Sequence, residues 1–302
     1  LSNDVDQLAL KHCFATEQTL HLDLSRTQLL VSFGADFLHT GASPVMMSRA
    51  YGEFRRKTSR GRMIQLEARF SATGASADQW LAIQAGSEGA IALFIARQLI
   101  AHDIYQGSDR EVWAQQLAEY TDTKVAAISG LSEKQLHQLA QEWMATPPAV
   151  AILGEGPSHL SNGLDSAIAI HALNYLSGNT GHADSVLTAN PPALITSTKR
   201  LQNGAFWARV QQAQKAKTCS VLMLHECNPI FDLPPAMAMQ KTLQEIPLII
   251  AMSSVMDESN AYADWILPVP SYLERWDDVS PEMGVGFATA SVAQPVVASL
   301  YD

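Results

Sequence analysis

The 302-residue chain is 47% hydrophobic with mean hydropathy near zero, 17 Gly and 14 Pro, a composition typical of globular proteins and long enough for roughly two domains of ~150 residues. Thirty acidic against twenty basic residues leave a formal charge of −10, and no basic stripe with interleaved aromatics accompanies them, so a nucleic-acid partner is excluded and the acidity serves solubility. No apolar run approaches the ~18 residues needed to span a bilayer, and LSNDVDQLAL has neither the basic head nor the apolar stretch of a secretory signal.

In chain order, TQLLVSFGAD (27–36) is an apolar β-rich run ending in Gly-Ala-Asp, and the Pro44-opened PVMMSRAYGEFRR has helical spacing. RMIQLEAR reads as a second strand, SATGASAD as a turn, WLAI as a short strand and GAIALFIARQLIAH as a helix. From Ser108 to Met144 the pattern is helical, with Ser132 as an N-cap candidate. Pro147-Pro148 marks a boundary, after which AVAILGEG, SVLMLHECNP, IPLIIAMSS and WILPVP read as strands and GLDSAIAIHALNYLSGN as a helix. Two successive sets of alternating strands and helices predict two α/β units with mainly parallel sheets, spanning 1–146 and 147–302.

Ligands of such sheets bind beyond the carboxyl ends of the strands. The residues there are Gly34-Ala35-Asp36, Glu67-Ala68-Arg69, Gly86-Ser87-Glu88, Gly154-Glu155-Gly156, Glu226-Cys227-Asn228-Pro229 and Asp257-Glu258-Ser259. Their carboxylates suit ribose hydroxyls and purine N–H groups, and their glycines admit a ligand to the backbone, so a nucleotide-like ligand is expected. Two stretches echo one another, GASADQWLAIQAG (74–86) and ESNAYADWILPVP (258–270), each with Ala-x-Ala-Asp before an apolar run. Asp78 and Asp264 in them are expected to shape loops and orient the next strand.

Familiar catalytic constellations are missing: no GxSxG elbow, no GxxxxGK phosphate loop, no HExxH, and GEGPSHLSNG lacks the spacing of a dinucleotide fingerprint. Cys13, Cys219 and Cys227 form no CxxC and read as buried free thiols. His225-Glu226-Cys227 lies on a strand, where neighbours point to opposite faces, so no metal site is expected. SYLERWDD is expected to turn its aromatic and Leu side chains inward and Asp277 and Asp278 outward.

Read together, these stretches resemble the central part of the molybdopterin oxidoreductase family, which includes dimethyl sulfoxide reductase, formate dehydrogenase, periplasmic nitrate reductase and polysulfide reductase. LLVSFGADFLHTGASPV, MIQLEARFSATGASADQWLAIQAGSEGAIAL, AILGEG with HALNYLSGNTGHADSVL, VLMLHECNPIFDLP and DESNAYADWILPVPSYLER resemble its motifs in family order, from about 27 to about 295. SFGADFLHTGASPV and LERWDD are most similar to the large subunits of quinone-linked respiratory complexes.

The resemblance implies two Rossmann-like α/β/α units related by a pseudo-two-fold, each holding one molybdopterin guanine dinucleotide of a pair, with Mo or W in the intact protein. It implies Gly34, Ala35, Asp36, Glu67, Arg69, Thr73 and Glu88 around one dinucleotide, and Gly154, Asn228, Pro229, Asp257, Glu258 and Ser259 around the other. No catalytic residue or metal ligand is implied within the chain, because the family's iron–sulfur region and C-terminal pterin-capping domain lie outside it; without an initiator Met the chain is expected to be processed or truncated. The implied function is the dinucleotide-binding portion of a two-electron oxidoreductase, inactive by itself. An iron–sulfur electron-transfer subunit and a membrane quinone-reactive subunit are the implied partners, with a periplasmic or membrane-associated location gained through them. The motifs depart from the family pattern at Glu67-Ala68-Arg69, Ala85-Gly86-Ser87-Glu88 and Glu258-Ser259-Asn260, which keeps two alternatives open: a cofactor-less scaffold subunit of a respiratory complex, and an unrelated α/β small-ligand binder.

Overall fold

The computed structural model describes residues 4–16, 20–41, 44–180, 186–189, 203–279 and 290–299. They form two compact units, the first running to Ala189 and the second starting at Asn203. The first unit contains, in order, α1 (Asp4–Phe14), β1 (Leu20–Leu22), β2 (Leu29–Phe33), α2 (Pro44–Arg56), β3 (Arg62–Glu67), α3 (Ala72–Ala75) and β4 (Gln79–Ala82). It continues with α4 (Glu88–Ala101), α5 (Arg110–Leu117), α6 (Asp122–Ser129), α7 (Glu133–Ala145), β5 (Ala149–Leu153), α8 (Glu155–Ser158), α9 (Gly163–Leu176) and β6 (Leu187–Ala189).

Its main sheet has the order β4-β3-β2-β5, parallel throughout, with Leu29 opposite both Arg62 and Ala149. Every residue of β2 is buried. Leu29, Val31 and Phe33 enter a core with Phe94 and Ile95 of α4 and Leu139 and Trp143 of α7, while Leu30 points into a second core with Met63 and Phe54. With both faces covered the strand is expected to be a nearly continuous apolar run, and LLVSF is one but for Ser32, whose hydroxyl is hydrogen-bonded to the Ala35 backbone. Phe33, Phe54 and Phe94 are fully buried, each contributing about 1.5–3 kcal/mol of hydrophobic stabilisation.

The helix α7 begins as expected: Ser132 Oγ accepts from Gln135 N at 3.3 Å and Gln135 Oε1 accepts from Ser132 N at 3.0 Å, a reciprocal cap. The domain boundary expected at Pro147-Pro148 is displaced. β5 follows these prolines directly and pairs along its whole length with β2, and Asn174 of α9 grips the Ala151 N–H at 2.9 Å and its carbonyl at 2.8 Å. The prolines therefore end a helix and leave the chain in the same sheet.

The second unit comprises α10 (Asn203–Lys215), β7 (Leu222–His225), α11 (Pro229–Asp232), α12 (Met239–Gln244), β8 (Ile249–Ser253), β9 (Trp265–Pro268), β10 (Asp277–Val279) and β11 (Ser291–Ala293). Its sheet β7-β8-β9 is again wholly parallel. Leu222, Leu224, Ile249 and Ala251 pack against Trp207 of α10 and Met239 and Leu243 of α12, whereas all four residues of β9 are exposed.

Tyr272 and Trp276 are also exposed, contrary to the expected inward packing, because the segment enters the β10 strand and not a helix with an apolar face. The three cysteines are free and only half-buried. Among the described residues no helix is long and apolar enough to cross a membrane, and no group of three or more His, Cys, Asp or Glu is arranged to hold a metal ion.

Candidate functional site

In the first unit the loops after β2, β3 and β5 converge. The backbone leaves β2 through Gly34 in the left-handed region, φ +69°, donating its N–H to the Leu66 carbonyl at 2.8 Å. Gly154, at the end of β5, donates to the Phe33 carbonyl at 2.9 Å. A Cβ on Gly154 would lie 1.9 Å from the Gly34 carbonyl oxygen, so only glycine lets these two chain segments meet. The resemblance placed Gly154 with the second unit's residues; it lies against Gly34 because β5 belongs to the first sheet.

Two buried polar side chains and one backbone N–H are held by hydrogen bonds just beyond these strands. Thr73 is fully buried; its Oγ1 donates to Asp36 Oδ1 at 2.5 Å and accepts from Leu38 N at 3.2 Å. The buried Glu67 carboxylate accepts from Ser71 N at 2.7 Å, Trp80 Nε1 at 3.0 Å and Gln65 Nε2 at 2.9 Å. Ala35 is buried, its N–H held by Ser32 Oγ at 3.2 Å. The Glu67 donors are the part the sequence reading missed, although Trp80, two residues after the echoed Asp78, was a visible signal.

Glu88 and Arg69 stand outside this network. Glu88 opens α4, where the first N–H groups and the helix dipole favour an anion. It is 2% exposed, and its Oε2 is buried without a hydrogen-bond partner among the described residues. Burial pushes its pKa up, opposed by the N–H groups of Glu88 and Gly86. Arg69, just past β3, is exposed and makes no ion pair among the described residues.

The second unit repeats the arrangement. Ser259 Oγ donates to Asn228 Oδ1 at 2.6 Å and accepts from Ile230 N at 3.1 Å, as Thr73 does with Asp36 and Leu38. Asn228 Nδ2 donates to Glu258 Oε2 at 2.6 Å, a bond that holds the exposed Glu258 carboxyl below its ordinary pKa. Asp257 Oδ1 accepts from Ser259 N at 2.9 Å and Asn260 N at 2.7 Å. Pro229 is buried at the first position of the one-turn helix α11, capped by Asn228.

The echoed aspartates occupy the same place in each unit. Asp78 Oδ2 accepts from Met63 N at 2.8 Å while its own N–H donates to the Met63 carbonyl at 2.9 Å; Asp264 does the same with Ile249, again at 2.8 and 2.9 Å. Each clamp fixes the start of one strand to the start of the next. Asp78 is further paired with Arg55 and lies 3.7 Å from Arg60.

The family model described as Molybdopterin oxidoreductase matches residues 4–298. The menaquinone reductase, molybdopterin-binding-like subunit of Nitratidesulfovibrio vulgaris is 30% identical over 298 residues, covering 95% of this chain and 42% of that protein. The thiosulfate reductase molybdopterin-containing subunit of Salmonella typhimurium is 22% identical over 324 residues, covering 92% of this chain and 42% of its own. Among solved structures, acetylene hydratase from Pelobacter acetylenicus superposes with TM-score 0.75 at 16% identity, over 98% of this chain and 48% of that one. The chain thus spans less than half the length of these relatives.

Proposed function

The chain belongs to the molybdopterin oxidoreductase family, and from that premise we propose that it is the central, dinucleotide-binding portion of an oxidoreductase large subunit, its strand ends receiving molybdopterin guanine dinucleotide. The observation that carries this reading is Glu88, whose buried Oε2 has no partner at the mouth of α4. A guanine edge offers N–H donors of the kind a buried carboxylate lacks. Arg69, exposed beyond β3, is the cation suited to a phosphate. Gly34 and Gly154 keep the backbone low where a ligand would pass over the sheet.

Within this reading the bound group supplies two-electron redox chemistry at its Mo or W. The chain's own residues bind and orient. Glu88 would take the base, Arg69 the phosphate, and the Thr73 and Ser259 hydroxyls hold the loops that carry Asp36, Asn228 and Glu258. Partners in the reading are an iron–sulfur subunit and a membrane quinone-reactive subunit, in a periplasmic or membrane-associated complex; a relative whose name is menaquinone reductase supports a respiratory setting.

A second reading, a scaffold that works without the dinucleotide, is favoured by Glu67, whose carboxylate is already satisfied by three protein donors, and by the mutual bonding of Asn228, Glu258 and Ser259. Metal analysis with pterin release from the full-length protein separates the two. Molybdenum or tungsten near one per chain with a fluorescent oxidised pterin supports the first reading; neither metal nor pterin leaves the scaffold standing.

A further inference from the structure

The repeated clamp and hydroxyl bridge make each strand-end position of one unit comparable with a counterpart in the other. Met63, Thr73 and Asp78 correspond to Ile249, Ser259 and Asp264, each 186 residues on. Asp36 and Leu38 correspond to Asn228 and Ile230, each 192 residues on. By the same offset Gly34 corresponds to Glu226. The match is structural as well: Glu226 has φ +47° against +69° for Gly34, and donates its N–H to the Met252 carbonyl at 2.9 Å, as Gly34 does to Leu66.

Glycine adopts this backbone freely and glutamate does not. Strain of this kind at the end of a parallel strand points to a role for the side chain that bears it. The Glu226 carboxylate is 40% exposed and lies 3.6 Å from Arg275, which also reaches Asp277 at 3.7 Å.

Charge follows the same division. Residues 34–40 and 67–73 contain Asp36, Glu67 and Arg69, net −1, with Glu67 buried and fully bonded. Their counterparts, 226–232 and 253–259, contain Glu226, Asp232, Asp257 and Glu258, net −4. The free guanidinium of Arg69 is replaced by Val255, and the only arginine near Glu226 among the described residues is already shared between two carboxylates.

We propose that Glu226 makes the second unit's strand ends discriminate against phosphate, so that only the first unit retains a phosphate-bearing nucleotide. This rests on the nucleotide reading above. Each carboxylate within about 4 Å of a phosphate oxygen disfavours it roughly fivefold even at the dielectric of water, and more where water is excluded. Neutral hydrogen-bond donors are not repelled, so the second site is left to ligand groups of that kind.

The test counts guanine nucleotide released by acid from the full-length protein as purified, per chain. The expected result is one, falling several-fold in Arg69→Ala and rising above one in Glu226→Gly. Glu226→Gln, which keeps the side chain's size and removes its charge, should also rise. Two nucleotides per wild-type chain overturn the proposal while leaving the nucleotide reading intact, as does a count unchanged in both Glu226 variants. A count of zero overturns both, and so distinguishes failure of the underlying reading.

Discussion

Thr73 Oγ1 donates to Asp36 Oδ1 at 2.5 Å and takes the Leu38 N–H at 3.2 Å, so one buried hydroxyl joins the loops after β2 and β3. Thr73→Val keeps the shape, leaves the Leu38 N–H unsatisfied and removes one of the two donors to Asp36 Oδ1, whose bond from the residue-73 N–H at 3.1 Å remains. The expected cost is about 1–3 kcal/mol, read as a lowered urea midpoint of the first unit's transition. Thr73→Ser should recover most of it.

Gly154→Ala should be more damaging than its single methyl suggests. The added Cβ falls 1.9 Å from the Gly34 carbonyl oxygen, which is backbone and has little room to yield. A loss of about 1–3 kcal/mol is expected, whereas Gly156→Ala, with nothing within 4 Å of its Cβ, should leave the midpoint nearly unchanged.

Burial opposes ionisation of Asp78, but the Arg55 hydrogen bond, the Met63 N–H and Arg60 together hold its pKa below the ordinary value. Its stabilisation is therefore complete above the unfolded-state value of about 3.9 and is lost as pH falls through the depressed folded value. Asp78→Asn should be less stable than wild type at neutral pH and show a shallower decline below pH ~4. Equal acid slopes in the two proteins would remove Asp78 from the explanation.

Glu88 carries the opposite sign. Its pKa is raised, chiefly by burial, so its contribution is greatest below the unfolded-state value of about 4.3 and is lost as pH rises through the folded one. Glu88→Gln should gain stability relative to wild type at neutral pH, with the difference shrinking towards pH ~4. A ligand donating to Oε2 should narrow the gap at neutral pH, which thermal melts of cofactor-loaded and stripped protein would reveal.

Glu226→Gly relieves a left-handed glutamate, worth about 1–2 kcal/mol, and gives back part of that through the greater freedom of glycine in the unfolded chain. A net gain of about 0.5–1 kcal/mol is expected, measured as a raised melting temperature of the second unit. A loss would mean that Arg275 and Asp277 depend on this carboxylate for the position of β10.

The strands and the main helices were legible because each carries its own pattern: LLVSF is apolar but for Ser32, RMIQLE sets Met63, Ile64 and Leu66 among polar residues, and PVMMSRAYGEFRR opens on Pro44 where α2 begins. The place of β5 was not, since AVAIL reads the same whether it opens a new sheet or joins an old one; only Asn174 and the β2 ladder decide. At the strand ends, composition identified the polar residues but not their partners. Glu67 looked available and is occupied by Trp80, Ser71 and Gln65, while Glu226 looked like one loop acid among several until its left-handed backbone made it the counterpart of Gly34 in the other unit.

The two aspartate clamps also bear on the order in which the chain assembles. Met63 and Asp78 are 15 residues apart, as are Ile249 and Asp264, whereas the β2–β5 ladder joins Leu29 to Ala149 across 120 residues. Closing the longer loop costs about 2 kcal/mol more chain entropy than closing either short one. The β3–β4 and β8–β9 pairs are therefore expected to form first in each sheet, with β5 docking later, after α4 and α7 have given it a surface to meet. Pulse-labelled amide exchange should find the Met63 and Ile249 amides protected before that of Ala151.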